Sequence, residues 1–315
     1  MIKICLSISK MDEEFEKMVQ TLKDYAQVDV VGLDGFSLEG YDIFIGKKLS
    51  KTILKTADCL KIAFAYKTGV DNFPLSILRE MGVVLVNSHI DADIVAEYAF
   101  GLSISLVNRI TECDKKLRKG IWYDNNNPYW KSIFDMKVGL LGYGHIGQHL
   151  ADILHKNNIK TYTLDRGKEY KNVTPVKTLN ELFETTNLIV LSLPKTSETN
   201  NIINEETITY LKDKYIVNVG RSNCIDQKVL YDALKNNKIA GAAIDTWDKK
   251  PKNKTTLLNP SKYPFIELDN IVLSPHQAMR VDVGHGRYVT DISQKVINYI
   301  KNGEITDAVD LVKGY

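Results

Sequence analysis

The chain has 315 residues, the length of about two domains, with 44% apolar and 25% charged side chains, the proportions of an ordinary globular protein and not of a disordered or low-complexity one. Its net charge of +2 is too small to draw it to nucleic acid or to an anionic membrane surface. No run reaches the roughly 18 apolar residues of a transmembrane helix. The opening MIKICLSISKMDEEFEK turns acidic early and lacks the small-residue cleavage site of a secretory signal. Four scattered cysteines without CxxC spacing (Cys5, Cys59, Cys113, Cys224) read as reduced thiols of a cytoplasmic protein, most of them plain core residues.

Along the first hundred residues strand and helix signals alternate. Residues 2–8 form a short β-rich run. Residues 11–25 have helical periodicity, with Phe15, Met18, Val19 and Leu22 on one face. VDVVGL, YDIFIG, LKIAFAY and VVLVNS follow as apolar strands, and 94–110 as a long buried helix. The aromatic, Asn-rich stretch 119–136 is an irregular connection. At 137 the pattern restarts as strand, glycine turn and helix. Further strands follow at 159–165, 187–194, 215–220, 239–245 and 270–275, with helices at 179–185 and 227–237 and an amphipathic tail at 286–303. Strands separated by helices imply βαβ units and parallel sheets.

The strongest local motif is Gly142-Tyr143-Gly144-His145-Ile146-Gly147. It follows the apolar run 138–141 and opens the helix that begins at Gln148, the context a dinucleotide-binding turn requires. Gly142 permits the turn, Gly144 lets the backbone approach a pyrophosphate, and Gly147 lets helix pack on strand. The helix N-terminus then offers N–H groups and partial positive charge to the phosphates. Asp165 ends the next strand, where it accepts from both ribose hydroxyls and repels a 2′-phosphate, favouring NAD over NADP; Arg166 beside it softens that repulsion. His145, His149 and His155 have no acidic partner at ligand spacing, so they read as structural or surface residues and no metal is expected.

Downstream come Val217-Asn218-Val219-Gly220-Arg221-Ser222, then Ile239-Ala240-Gly241-Ala242-Ala243-Ile244-Asp245, then Ser274-Pro275-His276. With the glycine loop, Leu193-Pro194 followed by Thr196 and Thr199, Gly69-Val70-Asp71-Asn72 and Val95-Ala96-Glu97, this order resembles the D-isomer-specific 2-hydroxyacid dehydrogenase family. The resemblance implies an α/β fold of two doubly wound parallel-sheet (Rossmann- or flavodoxin-like) domains with a cleft between them. Residues 1–98 plus 287–315 would be the substrate domain and 99–286 the NAD-binding domain, with homodimers held through the latter. It places Leu193, Pro194, Thr199, Val219 and Gly220 along the cofactor and Asp245 on the nicotinamide carboxamide, with a strand-end cap as the alternative for Asp245.

Hydride transfer between C2 of a hydroxy acid and nicotinamide needs a cation on the carboxylate and a group titrating near neutrality to exchange the hydroxyl proton. Arg221 and His276 match the family's residues for these roles, and backbone N–H groups at Thr68 and Gly69 would meet the substrate carboxylate. The family's third catalytic residue, a Glu beside the His, is replaced by Lys250, and its R-G pair by Arg221-Ser222. A cation there lowers the His pKa where a carboxylate raises it. Asp248 takes the carboxylate role only if the loop shifts by two residues. Otherwise Lys250 faces His276, turns to solvent, or joins Arg221 on a doubly charged substrate. Tyr66 and Lys67 are further candidates for the substrate mouth, with an ordinary loop as the alternative, and His89 for the cleft, with the surface as the alternative. The reading is therefore an NAD-dependent D-2-hydroxyacid dehydrogenase or 2-ketoacid reductase. The alternative that Lys250 raises is a redox-responsive NAD(H)-binding regulator with little turnover.

Overall fold

The computed structural model describes residues 1–122, 129–249, 251, 257–282 and 284–315. The chain divides into two compact units, Met1–Asp91 with Val281–Tyr315, and Ala92–Arg280.

The first unit is built from β1 (Lys3–Ser7), α1 (Glu13–Lys23), β2 (Gln27–Val31), β3 (Ile43–Gly46), α2 (Lys51–Leu54), β4 (Ile62–Ala65), α3 (Leu75–Glu80) and β5 (Val84–Val86). Its five strands are all parallel, in the order β2-β1-β3-β4-β5. Every residue of β3 and β4 is buried, as a sheet covered by helices on both faces requires. Asp12 starts α1 by accepting from the Phe15 amide at 3.1 Å, an N-cap that satisfies a helix donor. Phe15, Met18 and Leu22 then face inward, three of the four residues that periodicity puts on one face.

The second unit contains α4 (Ala92–Val107), α5 (Ile110–Leu117), β6 (Lys137–Leu141), α6 (His145–Lys156), β7 (Lys160–Leu164), β8 (Thr174–Val176), α7 (Leu179–Thr185), β9 (Leu188–Leu191), β10 (Tyr215–Asn218), α8 (Gln227–Lys235), β11 (Gly241–Ile244) and β12 (Ile271–Leu273). Its seven strands are parallel, in the order β12-β11-β10-β9-β6-β7-β8. The chain then returns to the first unit through α9 (Gly284–Asn302). Leu188, Ile189 and Leu191 of β9 are fully buried, each worth roughly 1.5–3 kcal/mol of transfer free energy.

Several differences from the sequence reading have physical causes. The long helix expected at 94–110 stops at Val107, where Arg109 takes a left-handed conformation (φ 58°) and a second helix starts. Strand β8 is unexpected because it is three residues long with Pro175 at its centre. A proline is tolerated there because β8 is an edge strand. Cys5 and Cys224 are buried but Cys59 and Cys113 are exposed, so only half the cysteines are core residues. Among the described residues, no helix is long and apolar enough to cross a membrane.

Candidate active site

In the seven-stranded sheet the chain runs outward from β6 in one direction through β7 and β8, and in the other through β9 to β12. The order reverses between β6 and β9, the switch point at which open α/β sheets bind ligands beyond the strand carboxyl ends. The glycine loop leaves β6 at that point. Gly142 has φ 109°, and a Cβ on it would lie 2.8 Å from Ser192 Oγ. A Cβ on Gly147 would lie 2.1 Å from the Gly142 carbonyl oxygen, so only glycine lets α6 sit this close to the turn. Gly144 differs: a Cβ there would meet nothing within 4 Å. Gly144 is also the N-cap of α6 and makes no side-chain cap bond. Open space above a helix N-terminus whose cap residue brings no side chain is a cradle suited to a pyrophosphate. His145, His149 and His155 are exposed on α6.

Asp165 follows β7, exposed, with its amide donating to the Val176 carbonyl at 2.8 Å. Its Oδ1 accepts from the Gly167 amide at 2.9 Å and lies 3.3 Å from the Tyr170 hydroxyl. On the other side of β6, Thr199 Oγ1 donates to the Pro194 carbonyl at 2.6 Å and accepts from the Thr196 amide at 2.9 Å, closing the loop that starts at Leu193. Gly220, after β10, presses on that loop: a Cβ there would lie 2.7 Å from the backbone N and O of Leu193.

Strands β10, β11 and β12 are parallel neighbours. Arg221, Asp245 and His276 follow them and therefore leave the sheet at the same edge. Arg221 and His276 come from strands two places apart, about 10 Å at the usual strand spacing. Buried Asn218, 1% exposed, shapes the first of these turns. Its Oδ1 accepts from the Gly220 amide at 3.0 Å and its Nδ2 donates to the Arg221 carbonyl at 3.0 Å. Arg221 is half-buried, and its Nη1 donates to the Gly220 carbonyl at 3.1 Å.

His276 is half-buried with a left-handed backbone, φ 59°. What holds it there is Asp245, only 2% exposed. Asp245 Oδ1 accepts from the Gln277 amide at 2.8 Å and from the Ser274 hydroxyl, and Oδ2 from the Ala278 amide at 3.2 Å. The hydrogen bonds of Asp245 thus tie the turn that carries His276, as a cap does. Tyr98 Oη lies 2.9 Å from Ser274 Oγ, and Trp247 Nε1 donates to the Ser274 carbonyl at 2.9 Å. Sequence reading assigned no role to Asn218, Ser274, Tyr98 or Trp247. Burial pushes the Cys224 thiol above its ordinary range, which keeps it protonated and unreactive.

Lys250 lies outside the described residues, and Asp248 is exposed. In the other unit, Thr68 and Gly69 follow β4. Thr68 Oγ1 is 3.2 Å from Tyr288 Oη, and its carbonyl accepts from Asn87 Nδ2 at 2.8 Å. Lys67 is exposed and His89 half-buried. Tyr66 is a core residue, 6% exposed and packed edge-on against Phe15, so it does not line a mouth.

Comparison with known proteins gives this arrangement a context. The family model described as "D-isomer specific 2-hydroxyacid dehydrogenase, NAD binding domain" matches residues 100–278. A glyoxylate reductase of Thermofilum pendens is 30% identical over 83% of this chain and 78% of its own length. A D-3-phosphoglycerate dehydrogenase of Methanocaldococcus jannaschii is 28% identical over 98% of this chain, which spans only 59% of that relative. A crystal structure of a Pyrococcus horikoshii protein superposes with a TM-score of 0.83 at 26% identity, covering 98% of this chain and 95% of the other.

Proposed function

The chain belongs to the D-isomer specific 2-hydroxyacid dehydrogenase family, and from that premise we propose that it interconverts a small 2-keto acid and its D-2-hydroxy acid with NAD. Bound nicotinamide supplies or takes up the hydride at C2. The remaining requirements fall to side chains of this chain. Arg221 clamps the substrate carboxylate with its planar guanidinium. His276 donates a proton to the C2 oxygen in reduction and removes it in oxidation, the work of a group that titrates near neutrality. Asn218 and Asp245 hold the two turns, since a misplacement of about 1 Å costs on the order of a hundredfold in rate. The Gly144–Gly147 turn and the start of α6 take the pyrophosphate, and Asp165 takes the ribose. In the first unit we assign Thr68 and Gly69 to the substrate carboxylate, on the resemblance alone.

The observation that carries this reading is the strand order. It brings Arg221 and His276 to one sheet edge, the edge on which the glycine loop opens. The regulator alternative rested on Lys250, and none of the findings favours it. The test follows NADH absorbance with glyoxylate, pyruvate, hydroxypyruvate and phenylpyruvate. Consumption of NADH with at least one of them, abolished in Arg221→Ala and in His276→Ala, is expected. Tight NADH binding with no turnover on any of the four would overturn it. We also take the chain to be a cytoplasmic homodimer; sedimentation at equilibrium returning a monomer mass would remove the dimer.

A further inference from the structure

The loop after β7 reads Asp165-Arg166-Gly167-Lys168-Glu169-Tyr170-Lys171. It sets two carboxylates, Asp165 and Glu169, among three cations, Arg166, Lys168 and Lys171; Asp165, at the strand end, is the one that repels a 2′-phosphate. Something must keep Asp165 from pairing with its neighbours, and the structure shows what. The Arg166 amide donates to the Tyr170 hydroxyl. That hydroxyl lies 3.2 Å from the Leu164 carbonyl and 3.3 Å from Asp165 Oδ1. The Gly167 amide takes the same Oδ1 at 2.9 Å, through a left-handed glycine at φ 67°. Neither bond uses Oδ2. The Tyr170 ring packs on Tyr143, centroids 5.4 Å apart, and Tyr143 belongs to the glycine loop. Tyr143 Oη in turn donates to the Lys171 carbonyl at 2.5 Å and accepts from the Lys171 amide at 3.0 Å. Two half-buried tyrosines thus staple both ends of the charged loop to the phosphate-binding turn.

We propose that Tyr170, anchored by Tyr143, is a positioning residue that fixes Asp165 for the choice of NAD over NADP. This rests on the reading of the glycine loop as a dinucleotide site. Without the Tyr170 hydroxyl, whose single proton is shared between the Leu164 carbonyl and Asp165 Oδ1, the Arg166 amide loses its acceptor and Asp165 Oδ1 keeps the Gly167 amide alone. Held by that one bond, the carboxylate turns more readily toward Arg166 or Lys168, which weakens the ribose acceptor and the repulsion together.

The test titrates the full chain with NADH and with NADPH, following nucleotide fluorescence at equilibrium. Tyr170→Phe keeps the ring contact and removes only the hydroxyl. It is expected to weaken NADH about fivefold to tenfold, in line with one lost hydrogen bond, while NADPH, with the repulsion eased, is not weakened, so the preference narrows. Tyr143→Phe should narrow it in the same direction. In an Asp165→Ala background, Tyr170→Phe should alter the preference no further, because both substitutions act through one carboxylate. A preference in Tyr170→Phe equal to that of the unaltered protein, or independent effects in the double variant, would overturn the assignment. Should Tyr170→Phe melt early by circular dichroism, Tyr143→Phe decides in the same way. Failure of the unaltered protein to bind either nucleotide would overturn the dinucleotide reading itself.

Discussion

Replacing Asp245 by Asn exchanges one carboxylate oxygen for an amino group at a site where both oxygens accept. Oδ1 faces the Gln277 amide at 2.8 Å and Oδ2 the Ala278 amide at 3.2 Å. Whichever way the Asn side chain is turned, one of these backbone N–H groups points at another donor. Leaving a buried donor without an acceptor costs about 1–3 kcal/mol, and changing the remaining bond from a charged to a neutral acceptor removes about 1 more. The left-handed backbone of His276 (φ 59°) itself costs roughly 1–2 kcal/mol, so a turn no longer held by Asp245 relaxes and carries the imidazole away. The expected loss is about 2–4 kcal/mol in unfolding free energy, read from urea melts. With it goes at least about a hundredfold in kcat/KM, read as NADH consumption. If Asp245→Asn stays within about 0.5 kcal/mol of the unaltered protein and keeps its kcat/KM, the carboxylate does not hold the turn and the argument fails.

Two glycine substitutions should separate fold from ligand. Gly144→Ala puts a methyl group into open space, so the thermal midpoint should hold while NADH affinity falls at least tenfold, by roughly 1.4 kcal/mol. Gly147→Ala drives a Cβ to 2.1 Å from the Gly142 carbonyl oxygen, so both should fall, the midpoint by the equivalent of about 1–3 kcal/mol. Lys250→Glu restores the carboxylate of the family pattern. If it acts on His276 it should move the acidic limb of the pH–rate profile upward, and an unmoved limb would take residue 250 out of proton transfer. Stability should also fall in alkali. Burial pushes Tyr66, Tyr288 and Cys5 each up to about 12. Their folded-state pKa values lie above the unfolded ones, so this stability is complete below about pH 9 and drains as pH climbs toward 12, when the unfolded chain ionises first. Urea melts at rising pH should show the decline, with a shallower slope in Tyr66→Phe.

Much of this protein was legible in the chain itself. The alternation of short apolar runs with amphipathic stretches announced parallel α/β units. Gly142, Gly144 and Gly147 announced a turn between strand and helix, because Gly142 and Gly147 answer local steric demands. Residues in order along the sequence carried the family likeness. Other features depended on partners distant in sequence. Strand β8 has three residues and a proline, too little for a periodicity to register, and it exists because it pairs with β7. The pairing of β6 with β9 joins Val138 to Leu188, and it alone creates the switch point where the glycine loop opens. Asp245 looked like a strand-end acid of uncertain task until folding set it against the amides of Gln277 and Ala278, more than thirty residues on. Local sequence governs steric permission and hydrophobic period, both felt within a few residues. Which side chains meet at the sheet edge is decided by strand order, a property of long-range pairing that no single segment contains.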